Sequence, residues 1–303
     1  MAAGQREIAE TPEVQRRRLK AALRHERKAA GLSQKEVSDA LVWSMSKIIR
    51  IETGAVGVTV TDLRALMDLY KVTDEERRAE LDELARGSRK QSWSDYGDVY
   101  DVAARTFFGY EAAAKTIYKY EPTFIPGLLQ TEEYARAVLQ AVGHSEHEID
   151  RMVRGRLERQ ELLDKDPRPE LQFILGEAAV SRVVGGARVM RRQLERLKDF
   201  AARPQISLQI LPFEVGAHPR MGEAFTILEF PDETLDDLIY LENAGRESVN
   251  RDDPEFTAAY LRDFATLQEL AIPSSGFAAA IDKIEAMRLT LPSNSKASKD
   301  EEP

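Results

Sequence analysis

A short segment near the N-terminus holds cationic and hydrogen-bonding side chains at helical spacing. These residues are Gln34, Lys35, Ser44, Met45, Ser46, Lys47 and Arg50. A guanidinium fork such as that of Arg50 pairs with two adjacent acceptors, the arrangement that guanine N7 and O6 present in the DNA major groove. Lys47 suits phosphate or guanine, Ser46 suits a base or a phosphate, and Met45 suits a thymine methyl. This set predicts recognition of nucleic acid by contact, without bond breaking.

Two short helices separated by a turn must position these side chains. Ser33 and Glu36 have the spacing of a capping box, which predicts a helix over 34–41 with Gln34 at a phosphate-holding first position. Ser44 predicts the cap of a second helix over 45–52, which Gly54 ends. The buried face of the pair is predicted to hold six apolar residues: Leu32, Val37, Ala40, Leu41, Ile48 and Ile51. This pattern predicts a helix-turn-helix.

The charge distribution supports the same interpretation. The 303-residue chain has a net charge of −9, but residues 1–90 hold 18 basic and 15 acidic side chains, a net of +3. The remainder therefore carries a net of −12. A basic N-terminal region followed by an acidic remainder is typical of a DNA-binding module joined to another domain. Four cations upstream of the motif are expected to add sequence-independent phosphate contacts: Arg16, Arg17, Lys20 and Arg24.

The pattern along the chain predicts two folded domains of different class. A flexible leader over 1–13 precedes an all-α domain of five helices over 14–88, and a connector spans 89–105. Residues 106–290 are predicted to form a mixed α and β domain with a small sheet, followed by a disordered tail over 291–303. Strands are expected at 117–120, 171–177, 206–212, 223–230 and 237–242. Helices are expected at 131–142, 146–163, 188–202, 253–270 and 276–287.

Residues 15–71 resemble the helix-turn-helix domain of phage repressors, the Cro/C1 or Xre-like type. The resemblance rests on Gly31-Leu-Ser-Gln-x-Glu-Val37 and on Ser46-Lys-Ile-x-Arg-Ile-Glu-x-Gly54, after leucines at 19 and 23 and an arginine at 24. The family usually has glycine in the turn where this chain has Val42. A β-branched residue with positive φ is strained, so either the turn adjusts or the domain gives up stability.

The second domain resembles DUF5753, a domain of unknown function attached to such modules in many actinobacterial regulators. The residues that carry the resemblance include the block Ile125-Pro-Gly-Leu-Leu-Gln-Thr-Glu-Glu-Tyr-Ala-Arg136, the pairs Arg159-Gln160 and His218-Pro219, and the segment Val189-Met-Arg-Arg-Gln-Leu194. The resemblance implies a regulator of development or antibiotic production. It also implies a small partner protein encoded by an adjacent gene.

The sequence leaves the role of the second domain's motifs open. The block 125–136 is either a structural corner or a loop that binds a ligand or partner. On the second interpretation the binding residues are Tyr120, Pro126, Gln130, Tyr134 and His218. A group of aromatic residues near the junction either lines a pocket or belongs to the core: Tyr96, Tyr100, Phe107, Phe108 and Tyr110.

Residue types and spacing argue against several other functions. His144 and His147 are three apart, but a zinc site needs three or four protein ligands and no third is suggested, so we expect no metal. No cysteine, GxSxG motif, phosphate-binding loop or dinucleotide glycine pattern is present. We therefore expect neither a catalytic activity nor a cofactor. No apolar run is long enough for a membrane span, so a cytoplasmic, nucleoid-associated protein is expected.

The sequence thus predicts a transcription regulator that binds double-stranded DNA. Its second domain is expected to form a homodimer and to receive a signal from a small-molecule ligand or a small protein partner. The alternative is an antitoxin-like interaction protein that neutralises a small neighbouring protein and regulates its own gene. A third interpretation of the N-terminal residues is a charged helical bundle used only for protein contacts.

Overall fold

The computed structural model describes residues 11–232, 235–243, 246–250 and 254–290. Most of the predicted leader and all of the predicted tail lie outside these ranges. The first helix, α1 (Pro12–Ala29), begins with proline at its first position, where the missing amide costs no hydrogen bond.

Four more helices follow α1 and complete the N-terminal domain, as predicted. They are α2 (Gln34–Leu41), α3 (Met45–Glu52), α4 (Val60–Leu69) and α5 (Glu75–Gly87). The capping box is confirmed, because the Ser33 hydroxyl accepts from the Glu36 amide and the Glu36 carboxylate accepts from the Ser33 amide. The Ser44 hydroxyl caps α3 by accepting from the Lys47 amide at 3.2 Å. Local side-chain signals therefore set the starts of both helices.

One apolar core joins these five helices. Val37, Ile48 and Ile51 are buried in it as predicted, and Leu32 and Leu41 are partly buried against it. The prediction for Ala40 was wrong, because this residue is exposed. The apolar stripe of α2 runs through positions 37 and 41, which are four residues apart, and leaves position 40 at its edge.

The turn between α2 and α3 does not adjust to its valine. Val42 has φ 55° and ψ 39°, in the left-handed region, and its side chain is 91% exposed. The Trp43 amide donates to the Ser38 carbonyl at 2.9 Å, so the backbone closes as it would around glycine. A β-branched side chain therefore holds a strained conformation without compensating burial.

Replacing Val42 with glycine is expected to stabilise the N-terminal domain by about 1 kcal/mol. Relief of the left-handed strain raises the free energy of unfolding by about 1–2 kcal/mol. The greater conformational freedom of glycine in the unfolded chain lowers it again by part of that amount. Urea unfolding should show a higher midpoint with an unchanged slope. Val42→Ala is the matched control: it keeps a Cβ at positive φ and should gain less. A lower midpoint for Val42→Gly would show that the valine makes a stabilising contact.

The second domain is built on one mixed sheet of six strands among the described residues. The strands are β1 (Thr116–Glu121), β2 (Glu170–Gly176), β3 (Ile206–Leu211), β4 (Ala224–Glu229), β5 (Leu238–Asn243) and β6 (Arg246–Asn250). Their order is β3-β2-β1-β4-β5-β6. The first three run parallel, and β4, β5 and β6 are each antiparallel to their neighbours. The five predicted strands are confirmed, whereas β6 was not predicted.

Seven helices surround this sheet in the described part of the second domain. They are α6 (Val102–Glu111), α7 (Glu132–Ala141), α8 (Glu146–Gln160), α9 (Glu177–Ser181), α10 (Gly186–Ala201), α11 (Pro254–Leu270) and α12 (Phe277–Thr290). The five predicted helices are present, and α6 and α9 are additions. Helix α6 crosses the boundary that the sequence suggested between a connector and the second domain at 105–106.

The two faces of the sheet carry separate cores, because side chains along each strand alternate. Tyr120, Phe225 and Ile239 face α11 in the smaller core. The larger core covers the opposite face and includes residues of α6, α7, α9, α10 and α12. On that face, β1 presents two charged side chains, Lys119 and Glu121, which are only 8% and 5% exposed.

Helix α1 also packs against the second domain. Val14 belongs to the larger core of that domain. The Glu13 side chain is 1% exposed and accepts from the amide and the hydroxyl of Ser92, at 3.1 and 2.7 Å. Arg18 pairs with Asp232 at 2.6 Å. The N-terminal domain is therefore docked on its neighbour through its first helix.

Replacing Gly109 with alanine is expected to disrupt the packing of α1 on the second domain while stabilising the helical conformation of α6. An alanine Cβ at Gly109 would lie 2.1 Å from the Glu13 carboxylate oxygen, so Glu13 must leave Ser92. Alanine has the higher helix propensity, so the local effect on α6 is favourable. Hydrogen exchange should rise at residues 12–16 and 88–93 with helix content unchanged. Gly57→Ala, where nothing lies within 4 Å of the new Cβ, is the control. Unchanged exchange at both segments would show that Glu13 relocates without undocking.

Candidate functional sites

The outer face of α3 is an exposed surface of mixed polarity. Arg50 and Ser46 are exposed, and Met45 and Ile49 are 38% and 41% exposed. The structure records no hydrogen bond from the Arg50 guanidinium to any other described residue. An arginine presented in this way on the second helix of a helix-turn-helix is placed for contact with base edges.

Lys47 is half-buried and already has partners. Its ammonium donates to the Asp62 carboxylate at 2.7 Å and lies 3.7 Å from the centre of the Trp43 ring. These contacts hold the long side chain at one edge of α3. Sequence reasoning missed both partners. The aromatic residue in the turn was the available signal for Trp43, whereas Asp62 comes close only through the fold.

A buried ion pair between Arg27 and Glu52 ties α1 to α3 and orients Gln34 of α2. Arg27 donates to both carboxylate oxygens of Glu52, at 2.5 and 3.1 Å, and Glu52 is 2% exposed. The same carboxylate accepts from the Gln34 amide at 2.8 Å. The hydrogen bond with Glu52 raises the pKa of Arg27, and burial raises the pKa of the neighbouring Tyr70. Gln34 is therefore positioned at the start of α2 through one of its two amide hydrogens.

Lys35 lies in α2, and Ser44 lies in the turn before α3. Lys35 is exposed and donates to Asp39 at 2.9 Å, which raises the pKa of Lys35. Ser44 is exposed as well, although its hydroxyl is already used as the cap of α3. An exposed pair four residues apart is weak, so Lys35 can exchange this partner for a phosphate at little cost.

The expectation that four cations of α1 contact phosphate needs correction for two of them. Arg17 and Lys20 are both 7% exposed, because α1 is covered by the second domain, and the Arg17 guanidinium lies 5.4 Å from the Phe230 ring centre. Arg16 and Arg24 are half-buried and donate to the carbonyls of Ser88 and Glu52, at 2.7 and 3.3 Å. The sequence predicted four phosphate-contacting cations, whereas Arg17 and Lys20 are buried where α1 packs against the second domain.

The five residues suggested for ligand or partner binding in the second domain do not form one site. Tyr120 and His218 approach each other at 3.4 Å on the α11 side of the sheet, and burial raises the pKa of Tyr120 to about 12. Tyr134 is fully buried, and its hydroxyl accepts from the Ile125 amide at 3.3 Å. Only Pro126 and Gln130 come together, in a cavity on the other side of the sheet.

The block 125–136 is held by two glutamines from distant helices. Gln193, which is fully buried, donates to the Leu129 carbonyl and accepts from the Thr131 amide, both at 2.7 Å. Gln160 donates to the carbonyls of Gly127 and Gln130, both at 2.8 Å. The block is therefore a structural corner, and the same corner forms one wall of the cavity.

That cavity has a volume of about 260 Å³ and lies between the sheet and helices α6, α7 and α8. Among the described residues, its polar lining includes Glu111, Lys119, Glu121, Gln130, Arg156, Arg159 and Thr226. Its apolar lining includes Phe107, Phe108, Phe124, Phe173 and Tyr240. Of the aromatic residues noted at the junction, Phe107 and Phe108 therefore line a pocket. Tyr96 and Tyr100 instead contact α8, through Glu158 and the Met152 carbonyl.

Other kinds of site are not found in the part of the chain that the structure describes. There, no group of three or more histidine, aspartate or glutamate side chains is arranged to hold a metal ion. Within the same residues, none of the helices combines the length and apolar character needed to cross a bilayer.

Two family models match the chain, one for each domain. A helix-turn-helix domain model matches residues 18–81, which supports DNA binding and transcription regulation. The model for a domain of unknown function, DUF5753, matches residues 104–283. No curated protein and no solved structure matches the chain significantly. Because the second match covers more than half of the 303 residues, this chain belongs to the DUF5753 family and carries a helix-turn-helix domain in front of it.

Proposed function

We propose that this protein is an Xre-like transcription regulator that binds operator DNA through α3. The observation that carries the proposal is the exposed face of α3, with Arg50 and Ser46 available and Gln34 and Lys47 held beside them. The second domain leaves this face open, since it packs on α1 instead. The proposal gives the chain no catalytic role.

We further propose that the second domain pairs two copies and receives the signal. A symmetric dimer reads two half-sites separated by about 10 base pairs or a multiple of that spacing. Selection of genomic fragments by the full chain tests this directly. The expected result is a shared motif with two-fold symmetry, together with a dimeric mass in solution. Recovery of fragments with no shared sequence would refute specific DNA binding, and single half-sites with a monomeric mass would refute the dimer.

A second candidate function, sequestration of a small protein, is favoured by the surface of the second domain. Residues 91–303 carry a net charge of −12, and large apolar side chains are exposed among them, such as Phe213 at 64% and Met221 at 70%. A small basic partner with an apolar patch fits such a surface. Co-expression with the product of an adjacent gene should give a stable complex that Met221→Glu weakens. Independent purification of both proteins would count against this function.

A further inference from the structure

Lys47 of α3 is held by two residues that lie outside that helix. Its ammonium donates to the Asp62 carboxylate of α4 at 2.7 Å and lies 3.7 Å from the centre of the Trp43 ring. The Lys47 side chain is 36% exposed and that of Asp62 is 18% exposed, so water screens the pair only in part. A partly buried, charge-assisted hydrogen bond is stronger than the same contact in open solvent. Lys47 therefore has a defined position before any DNA arrives.

Both partners of Lys47 are themselves fixed by local structure. The Thr59 hydroxyl caps α4 by accepting from the Asp62 amide at 3.1 Å, which places Asp62 in the first turn of that helix. Trp43 is half-buried against the core of the N-terminal domain, and its amide donates to the Ser38 carbonyl at 2.9 Å. The fold of the domain, and not Lys47 itself, therefore determines where the carboxylate and the ring lie.

A carboxylate beside α3 is unfavourable for DNA binding in general. Asp62 repels phosphates, and it occupies one of the three donors of an ammonium that would otherwise pair with them. An unrestrained lysine is a flexible point charge that contacts phosphate on any sequence. A restrained lysine offers a donor at a fixed place, which distinguishes guanine N7 and O6 from the amino group of cytosine. Asp62 thus lowers general affinity and favours discrimination between sequences.

From this arrangement we infer that Asp62 determines sequence specificity without contacting a base. It holds Lys47 as a fixed donor toward a base edge and withholds it from the phosphates of unrelated sequences. Trp43 supports the same position through the face of its ring. Asp62 is a positioning residue, because it acts through Lys47. This inference rests on the proposed binding of operator DNA by α3 and names one determinant of its selectivity.

Replacing Asp62 with asparagine in the full chain tests the inference, with two duplexes as probes. One is the operator recovered by selection, and the other is a scrambled duplex of the same length and base composition. We expect Asp62→Asn to raise affinity for the scrambled duplex and to lower the ratio of operator to scrambled affinity about three- to tenfold. The salt dependence of binding to the scrambled duplex should steepen by about one ion, because Lys47 then reaches a phosphate. An unchanged ratio would overturn the inference.

Matched variants separate positioning from bulk charge and from folding. Asp39→Asn removes the same charge from the exposed Lys35–Asp39 pair on the same motif, so it should raise both affinities by one common factor. Asp62→Glu keeps the carboxylate and should keep most of the ratio. In a Lys47→Gln background, Asp62→Asn should leave the ratio unchanged, because the residue through which it acts is gone. A fall in the ratio in that background would refute action through Lys47.

A second variant and the unmodified protein complete the test. If circular dichroism shows that Asp62→Asn does not fold, Trp43→Leu removes the other contact and should lower the same ratio. If the unmodified protein does not prefer the operator to the scrambled duplex, operator binding itself is refuted, and this inference with it. If the unmodified protein discriminates and the folded variants discriminate equally well, only the inference about Asp62 fails.

Discussion

Replacing Glu52 with glutamine is expected to lower the free energy of unfolding of the N-terminal domain by about 3–5 kcal/mol. Glutamine keeps the shape of the side chain but removes its charge, which leaves the guanidinium of Arg27 without a counter-ion. The Arg27 side chain is 12% exposed and that of Glu52 is 3% exposed, so water cannot replace the lost partner. The variant should also loosen Gln34, because glutamine offers one acceptor oxygen in place of the two that Arg27 and Gln34 share.

Urea unfolding followed by Trp43 fluorescence, in a Trp93→Phe background, measures this effect within the N-terminal domain. Asp39→Asn is the matched control, since the Lys35–Asp39 pair is more than 60% exposed on both sides and should contribute less than about 0.5 kcal/mol. The double replacement Arg27→Met with Glu52→Leu should recover much of the loss, because no buried charge is then left unpaired. A loss below about 1 kcal/mol for Glu52→Gln would contradict a dry, buried pair.

Replacing Arg50 with alanine is expected to weaken operator binding by about 1–3 kcal/mol, or roughly 5- to 150-fold, and to relax specificity at one base pair. The physical reason is the loss of a two-pronged hydrogen bond to a base, which no neighbouring side chain can supply. Arg50 is exposed, and α3 keeps its core residues Ile48 and Ile51, so folding should be unaffected.

Gel shifts with the selected operator and with single-base variants separate base contact from phosphate contact. Arg191→Ala removes the same charge from an exposed position on α10 and should leave affinity unchanged. If Arg50→Ala lowers affinity equally for every sequence and reduces the salt dependence by about one ion, Arg50 contacts only phosphate.

The N-terminal motif could be predicted almost residue by residue because its signals are local. Caps at Ser33 and Ser44, stops at Gly31 and Gly54, and apolar spacing all act within one or two turns. The Lys47–Asp62 contact could not be predicted, because it joins positions fifteen residues apart on different helices. The burial of Arg17 and Lys20 was missed for the same reason: their own helix does not reveal what covers it.

In the second domain, too, features set by local sequence could be predicted, and features set by distant residues could not. Strands rich in β-branched residues were predicted, but β6 (Arg246–Asn250, RESVN) is largely polar and gives little alternating signal. Helix α6 was missed because three aromatic residues and Gly109 obscure its helical pattern. The cavity was beyond sequence reasoning, since its charged residues come from α6, β1 and α8, and only the fold brings them together.

Helix α6 contacts both the N-terminal domain and the cavity. Glu13 of the N-terminal domain packs on Gly109, and the cavity is lined by Ala104, Phe107, Phe108 and Glu111. Thermodynamic linkage makes such an arrangement reciprocal. If a bound molecule shifts α6 and changes operator affinity by some factor, operator DNA changes the affinity of that molecule by the same factor. Promoter occupancy would then set how much of the signal molecule the cell must accumulate before the protein responds. The response threshold would belong jointly to the chemistry of the cavity and to the strength of each operator.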